Sequence, residues 1–122
     1  MKSILIIEDH VGLRESYQIL FNKEGFEVEM AEDGKMGLDM ALKKVYDVIL
    51  LDMLMPVMDG ITFLRAYKPL KHPKSKIIAF SNLQTSDIVK ESVELGVKRY
   101  ITKSITPPRE MAKTVKDVIS KA

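Results

Sequence analysis

The chain has no cysteine, and neither sign of charge dominates it: 19 Lys and Arg against 17 Asp and Glu give a net charge of +2. Without a thiol there is no disulfide framework, no thiolate nucleophile and no zinc–thiolate site. No apolar run approaches membrane-spanning length, and Met1-Lys2-Ser3 leads into a short apolar run rather than a signal peptide. Nothing resembles an aromatic-interleaved or helix-borne basic patch, so direct nucleic-acid binding is not expected. Acids lean toward the N-terminal half and lysines toward the C-terminal half. A solvated Lys-rich surface explains that asymmetry more simply than an acidic partner does. No Gly-rich fingerprint follows the first apolar run, which argues against a dinucleotide-binding domain. A cytoplasmic protein without membrane contact is expected.

At 122 residues, nearly half of them apolar, the chain is long enough for one domain with a single core, residues 1–122. Its organising stretch is Val48-Ile49-Leu50-Leu51, an apolar run that stops at Asp52 and is followed by Pro56 and Asp59-Gly60. Such a run predicts a strand buried on both faces. A carboxylate at its end is costly to bury unless paired or metal-bound.

Around that run, apolar periods of two and of 3.6 residues alternate. Strands are predicted at Ser3–Ile7, Phe26–Ala31, Asp47–Leu51, Lys76–Phe80 and Val97–Ile101. A first helix starts near His10, with Leu13, Tyr17, Leu20 and Phe21 inward, and stops at Gly25. The second follows Asp33-Gly34 and turns Leu38, Ala41 and Leu42 inward; the third carries Ile61, Phe63, Leu64 and Tyr67 and breaks at Pro69. A fourth, weak helix runs from Thr85 to Leu95. The fifth is expected to be capped by Thr106 with Pro107 first, and to turn Met111, Val115, Val118 and Ile119 inward. The class is α/β: a doubly wound five-stranded parallel sheet with five helices on its two faces.

In open sheets of this kind ligands bind beyond the carboxyl ends of the strands. That rule selects Glu8-Asp9, Asp52, Ser81-Asn82 and Lys103. Clustered carboxylates repel one another, and a Mg²⁺ ion, which takes oxygen ligands and keeps much of its water, relieves the repulsion. A carboxylate nucleophile, a hydroxyl and an ammonium beside such an ion suit an aspartyl phosphate. Taken singly, Asp9 reads as a helix cap, Ser81 and Lys103 as loop residues, and Asp59-Gly60 as a turn. The strand-end set in this order is hard to attribute to chance.

Glu8-Asp9, Asp52 with Met55-Pro56 and Asp59-Gly60, Ser81, Leu95-Gly96 and Lys103 together resemble the receiver domain of two-component response regulators (CheY-like), across essentially the whole chain. The resemblance implies strand order 2-1-3-4-5 and Asp52 as phosphoacceptor. It implies Mg²⁺ (or Mn²⁺) held by Glu8, Asp9, Asp52 and the main-chain carbonyl of Leu54. Ser81 and Lys103 would contact the phosphoryl group, with Ser81 and Tyr100 as the switch pair. It further implies phosphoryl transfer from a sensor histidine kinase or phosphotransfer protein, catalysed by the domain itself, and autodephosphorylation. The output would pass to a downstream protein target or a fused output domain, or through a phosphorylation-dependent dimer formed by the fourth helix, fifth strand and fifth helix. With only Lys121-Ala122 after the last helix, a single-domain regulator and the receiver part of a longer chain both stay open.

Three residues depart from the family pattern: Ser104 stands where Pro usually follows the lysine, Asn82 where a small residue is usual, and Leu54 where a polar side chain often helps place the hydrolytic water. Slow autodephosphorylation is therefore expected. A receiver-fold interaction module that has lost phosphotransfer is the main alternative. A haloacid dehalogenase-type hydrolase lacks support, because Leu54 occupies the place of its second Asp.

Overall fold

The computed structural model describes residues 1–82 and 85–120, so Lys121 and Ala122 lie outside the described residues. Five parallel strands, β1 (Ser3–Ile7), β2 (Glu27–Ala31), β3 (Val48–Asp52), β4 (Lys76–Ser81) and β5 (Arg99–Thr102), form one sheet in the order β2-β1-β3-β4-β5. They alternate with α1 (Val11–Lys23), α2 (Gly34–Lys43), α3 (Gly60–Tyr67), α4 (Ser86–Glu94) and α5 (Pro108–Ser120). Short 3₁₀ turns at Pro69–Lys71 and Lys103–Ile105 follow α3 and β5.

The two-residue period of the strands divides the core into two layers. Leu5, Ile7, Ile49, Leu51, Ile77 and Ala79 join Ala41 of α2 and Phe63, Leu64 and Tyr67 of α3. Ile4, Ile6, Val48, Leu50, Ile78 and Phe80 join Tyr17 and Phe21 of α1 and Met111, Val115 and Val118 of α5. Every residue of β3 is buried, because helices cover both of its faces. β2, an edge strand, instead exposes Glu27, and Lys44 pairs with both Glu27 and Glu29.

Several boundaries and caps differ from expectation for local reasons. β3 and β4 run one residue further, to Asp52 and Ser81, since the ladders continue through the Asp52–Phe80 and Ser81–Thr102 registers. β5 begins at Arg99 rather than Val97, because Val97 is still bonded to Ser92 in the turn that leaves α4. Thr106 does not cap α5. The Pro107 carbonyl accepts from the Met111 amide at 3.0 Å, so Pro107 is the cap and Pro108 the first helical residue. Leu42 points outward at 56% exposure. Ala41 is buried and Leu38 packs against the core as expected, and Gly34 and Gly37 share that inner face, small enough for Ile7 to pack directly on Gly37, where a Cβ would meet its side chain at 2.5 Å.

Candidate functional site

The strand order reverses between β1 and β3, where open sheets place their ligands. Asp52 and the Glu8-Asp9 pair lie there, with Ser81 at the end of β4 and Lys103 just after β5. One oxygen from each of Glu8, Asp9 and Asp52 lies within 4.8 Å of the others. Glu8 and Asp52 are buried, whereas Asp9 is exposed at the mouth. Lys103 Nζ stands 3.1 Å from Glu8 Oε2 and 3.1 Å from Asp52 Oδ2, so one ammonium serves two buried carboxylates. It also lies 4.8 Å from the Phe80 ring centroid, and the ring's electron-rich face favours a cation there.

The backbone fixes the carboxylates. Leu54 N donates to Asp52 Oδ1 at 3.0 Å and His10 N donates to Glu8 Oε1 at 3.2 Å. Asp9 is not the cap of α1. His10 takes that place, its Nδ1 accepting from Leu13 N at 3.1 Å, which leaves the Asp9 carboxylate available to the cluster. Asp59, read from the sequence only as part of a turn, caps α3 by accepting from Thr62 N. Asp59 is thus structural.

Electrostatics follow from this burial. The Asp52 carboxyl is pushed up to about 7, chiefly by desolvation. The Leu54 amide lowers it, a hydrogen bond and repulsion from Glu8 raise it, and Lys103 offsets part of the rise. Tyr17 is pushed up to about 12 by burial and then by the charges of Glu8 and Asp52. The Tyr100 hydroxyl is raised by burial and by the charge of Asp52, while its hydrogen bond with Ser81 acts the other way. Ser81 and Tyr100 are therefore coupled side chains, and Tyr100, partly buried, packs against the core layer that α2 and α3 cover.

The three departures also acquire positions. The Leu54 side chain is 55% exposed at the lip of the site. Asn82 Oδ1 accepts from Ser104 N at 2.7 Å, joining the end of β4 to the segment after Lys103. The Lys103–Ser104 peptide is trans.

Three contributors were not picked out from the sequence. Arg14 Nη1 donates to the Glu8 carbonyl at 2.7 Å and lies 3.4 Å from that of Asp9, securing the acidic turn from within α1. A cation with no acid in the first turn opposes the helix dipole, and that mismatch was its available signal. Phe80 under Lys103 read only as the last residue of the fourth strand. Val57, at φ 72 and 81% exposed, is a β-branched residue in the left-handed region within the loop after Asp52. Nothing in its residue type announces that.

The donor set suits a small hard cation: three carboxylate oxygens, two of them on buried residues sharing a single ammonium. An acidic pocket at the switch point of a doubly wound sheet, with a lysine held over it, defines a phosphoryl- and metal-handling α/β domain. Residues 4–116 match the response regulator receiver domain, and the chain belongs to that family, the receiver domains of two-component systems. Such domains bind Mg²⁺ at the acidic pocket and act with histidine kinases or phosphotransfer proteins. The chain is 35% identical over 102 residues to sporulation initiation phosphotransferase F of Bacillus subtilis, covering 84% of this chain and 82% of that protein. It spans under half the length of similar transcriptional regulators from Bacillus, Streptococcus and Staphylococcus. Among solved structures it resembles a CheY-like receiver domain from Methanospirillum hungatei, with a TM-score of 0.92 and 26% identity over 99% of this chain and 95% of that one. It also resembles response regulator TrrA of Thermotoga maritima in complex with Mg²⁺–BeF, with a TM-score of 0.84 and 27% identity over 97% and 99% of the two chains. Among the described residues no helix is long and apolar enough to cross a membrane.

Proposed function

We propose that Asp52 accepts a phosphoryl group from the phosphohistidine of a sensor kinase or phosphotransfer protein in the cytoplasm, and that the change is read by a downstream target or a fused output domain. The reading rests above all on one observation: Lys103 Nζ sits 3.1 Å from a buried Asp52 oxygen that lies in a cluster with Glu8 and Asp9. An Asp52 oxygen forms the new P–O bond as the P–N bond breaks, and the donor imidazole keeps the bonding pair. Lys103 draws the phosphoryl oxygens toward the carboxylate, and the Ser81 hydroxyl donates to one of them. Glu8, Asp9, Asp52 and the Leu54 carbonyl would hold Mg²⁺ or Mn²⁺. When bound, the ion offsets the negative charge of carboxylates and phosphoryl group alike.

Ser81 carries the signal outward. Its hydrogen bond with Tyr100 links the phosphoryl pocket to the surface of α4, β5 and α5, where a partner or a second copy would sense the change. Incubation with Mg²⁺ and acetyl phosphate, followed by intact mass, tests the chemistry. A gain of one phosphoryl group in wild type, absent from Asp52→Asn, is expected. No gain in wild type would favour the interaction module that has lost phosphotransfer.

A further inference from the structure

The pole of the sheet opposite Asp52 carries a second feature, built from the turn between α2 and β3 and the segment between α3 and β4. The two enclose a cleft of about 310 Å³. Its deepest lining is Tyr67, Ala41 and Ser75, all buried. Its walls carry the exposed Leu42 and Val45 on one side and Lys71, Pro73 and Lys74 on the other.

The charge here is one-sided. Residues 67–76 (YKPLKHPKSK) contain four lysines and one histidine and no acid. Lys44 is taken by Glu27 and Glu29, but Lys43, Lys68, Lys71, Lys74 and Lys76 form no ion pair among the described residues. Beside them on the cleft wall stand two apolar side chains at 56% and 63% exposure, Leu42 and Val45. Lone exposed apolar residues are ordinary, but these two flank one cleft.

The cleft is also rigidly made. Ser75 Oγ accepts from Tyr46 N at 3.1 Å, tying one wall to the other. Successive turns bond Lys71 N to Lys68 O, His72 N to Pro69 O and Ser75 N to His72 O. The His72 ring stacks on Tyr67 with centroids 4.4 Å apart. Lys68 holds φ 59, where glycine is the usual residue, so the segment keeps a lysine despite backbone strain. A preformed surface loses little entropy on binding.

We propose that this cleft docks an acidic protein segment that inserts an apolar side chain between Leu42, Val45 and Tyr67 while its carboxylates meet Lys43, Lys71 and Lys74. Concavity selects this occupant. A bilayer presents a plane and would reach the rim lysines without filling the cleft, and duplex DNA has no apolar anchor for its floor. Because the site faces away from Asp52, docking holds a partner without competing with the phosphodonor.

The test titrates the whole chain with a fluorescently labelled peptide carrying one Leu flanked by Glu residues. A Glu→Gln version of the peptide, phosphatidylglycerol vesicles and a short DNA duplex are run in parallel. Binding is expected with amide chemical-shift changes centred on residues 42–45 and 67–75, weakening as salt rises. Lys43→Glu with Lys74→Glu should weaken it by about tenfold or more. Leu42→Ser should weaken it with the circular-dichroism melt preserved, which separates lost docking from lost folding. Absent binding, shifts centred elsewhere, equal affinity for the Gln peptide, or a preference for vesicles or duplex would each overturn the proposal.

Discussion

Replacing Asp52 by Asn should stabilise the metal-free protein at neutral and alkaline pH, although it removes the proposed phosphoacceptor. Glu8 and Asp52 are both about 1% exposed and share the single ammonium of Lys103. Asp52 titrates near 7 in the fold against an ordinary 3.8, mainly because burial disfavours its charge. The native state thus retains a proton that the unfolded chain has released between about pH 4 and pH 7. Stability therefore falls as pH rises through that window, then levels off. About three units correspond to about 4 kcal/mol as a ceiling, since each unit is about 1.4 kcal/mol. Relaxation and water at the open mouth reduce the yield, so about 2 kcal/mol is a reasonable expectation at pH 8. Asn keeps an acceptor for Leu54 N and gains a donor toward Glu8, and Lys103 then faces one carboxylate. Urea melts of both proteins in EDTA from pH 4 to pH 9 measure the difference. It should be near zero at pH 4, grow to pH 7 and stay flat above. Millimolar Mg²⁺ should close the gap at pH 8 by stabilising wild type more than the variant. An Asn variant equal to or weaker than metal-free wild type at pH 8 would refute the reasoning.

Other expectations follow from neighbouring residues. The phosphorylated form should decay slowly, because Leu54 offers no polar group to place the attacking water; a lifetime of seconds by radiolabel or mass would contradict this. Val57→Gly should add about 0.5–1 kcal/mol in a chemical melt, relief of the left-handed strain exceeding the entropy cost of glycine. A loss of stability would show that the observed φ is not strained. Asn82→Ala and Ser104→Pro each remove one side of the 2.7 Å bond between them. A double-mutant cycle should return a coupling of about 1 kcal/mol, and additive effects would deny the link.

The topology was legible because strand and helix periods alternate along the chain and β3 is apolar throughout, so its burial on both faces required little inference. The acidic set was legible for a related reason: strand ends mark the site, and carboxylates are rare company for a buried run. What escaped the sequence was long-range or conformational. That Lys103 reaches both Glu8 and Asp52 depends on a fold bringing residues 95 positions apart into contact. Leu42 fits the inner stripe of α2 by spacing, yet glycines at 34 and 37 let the helix approach the sheet on the face they share with Leu38 and Ala41. Thr106 looked like a cap because two prolines follow it, and spacing alone does not say which of them begins α5. Val57 shows the limit most plainly, since its left-handed φ is imposed by the loop and not by a residue type that favours it.

The geometry recasts two of the three departures as one feature. Proline at position 104 would have no N–H, so the bond from Ser104 N to Asn82 Oδ1 could not form. A small residue at position 82 would leave the Ser104 amide without that acceptor. The two substitutions are thus complementary: where the family pattern restrains the backbone after the lysine with a ring, this chain restrains a trans peptide with an amide side chain from the residue just after β4. The restraint is reversible in a way that a ring is not. It also originates beside Ser81, the residue expected to move when Asp52 is phosphorylated. A shift of the β4 end toward the phosphoryl group would carry the Asn82 acceptor with it and pull on the segment that holds Lys103. The placement of Lys103 would then depend on phosphorylation through the backbone as well as through its own ion pairs.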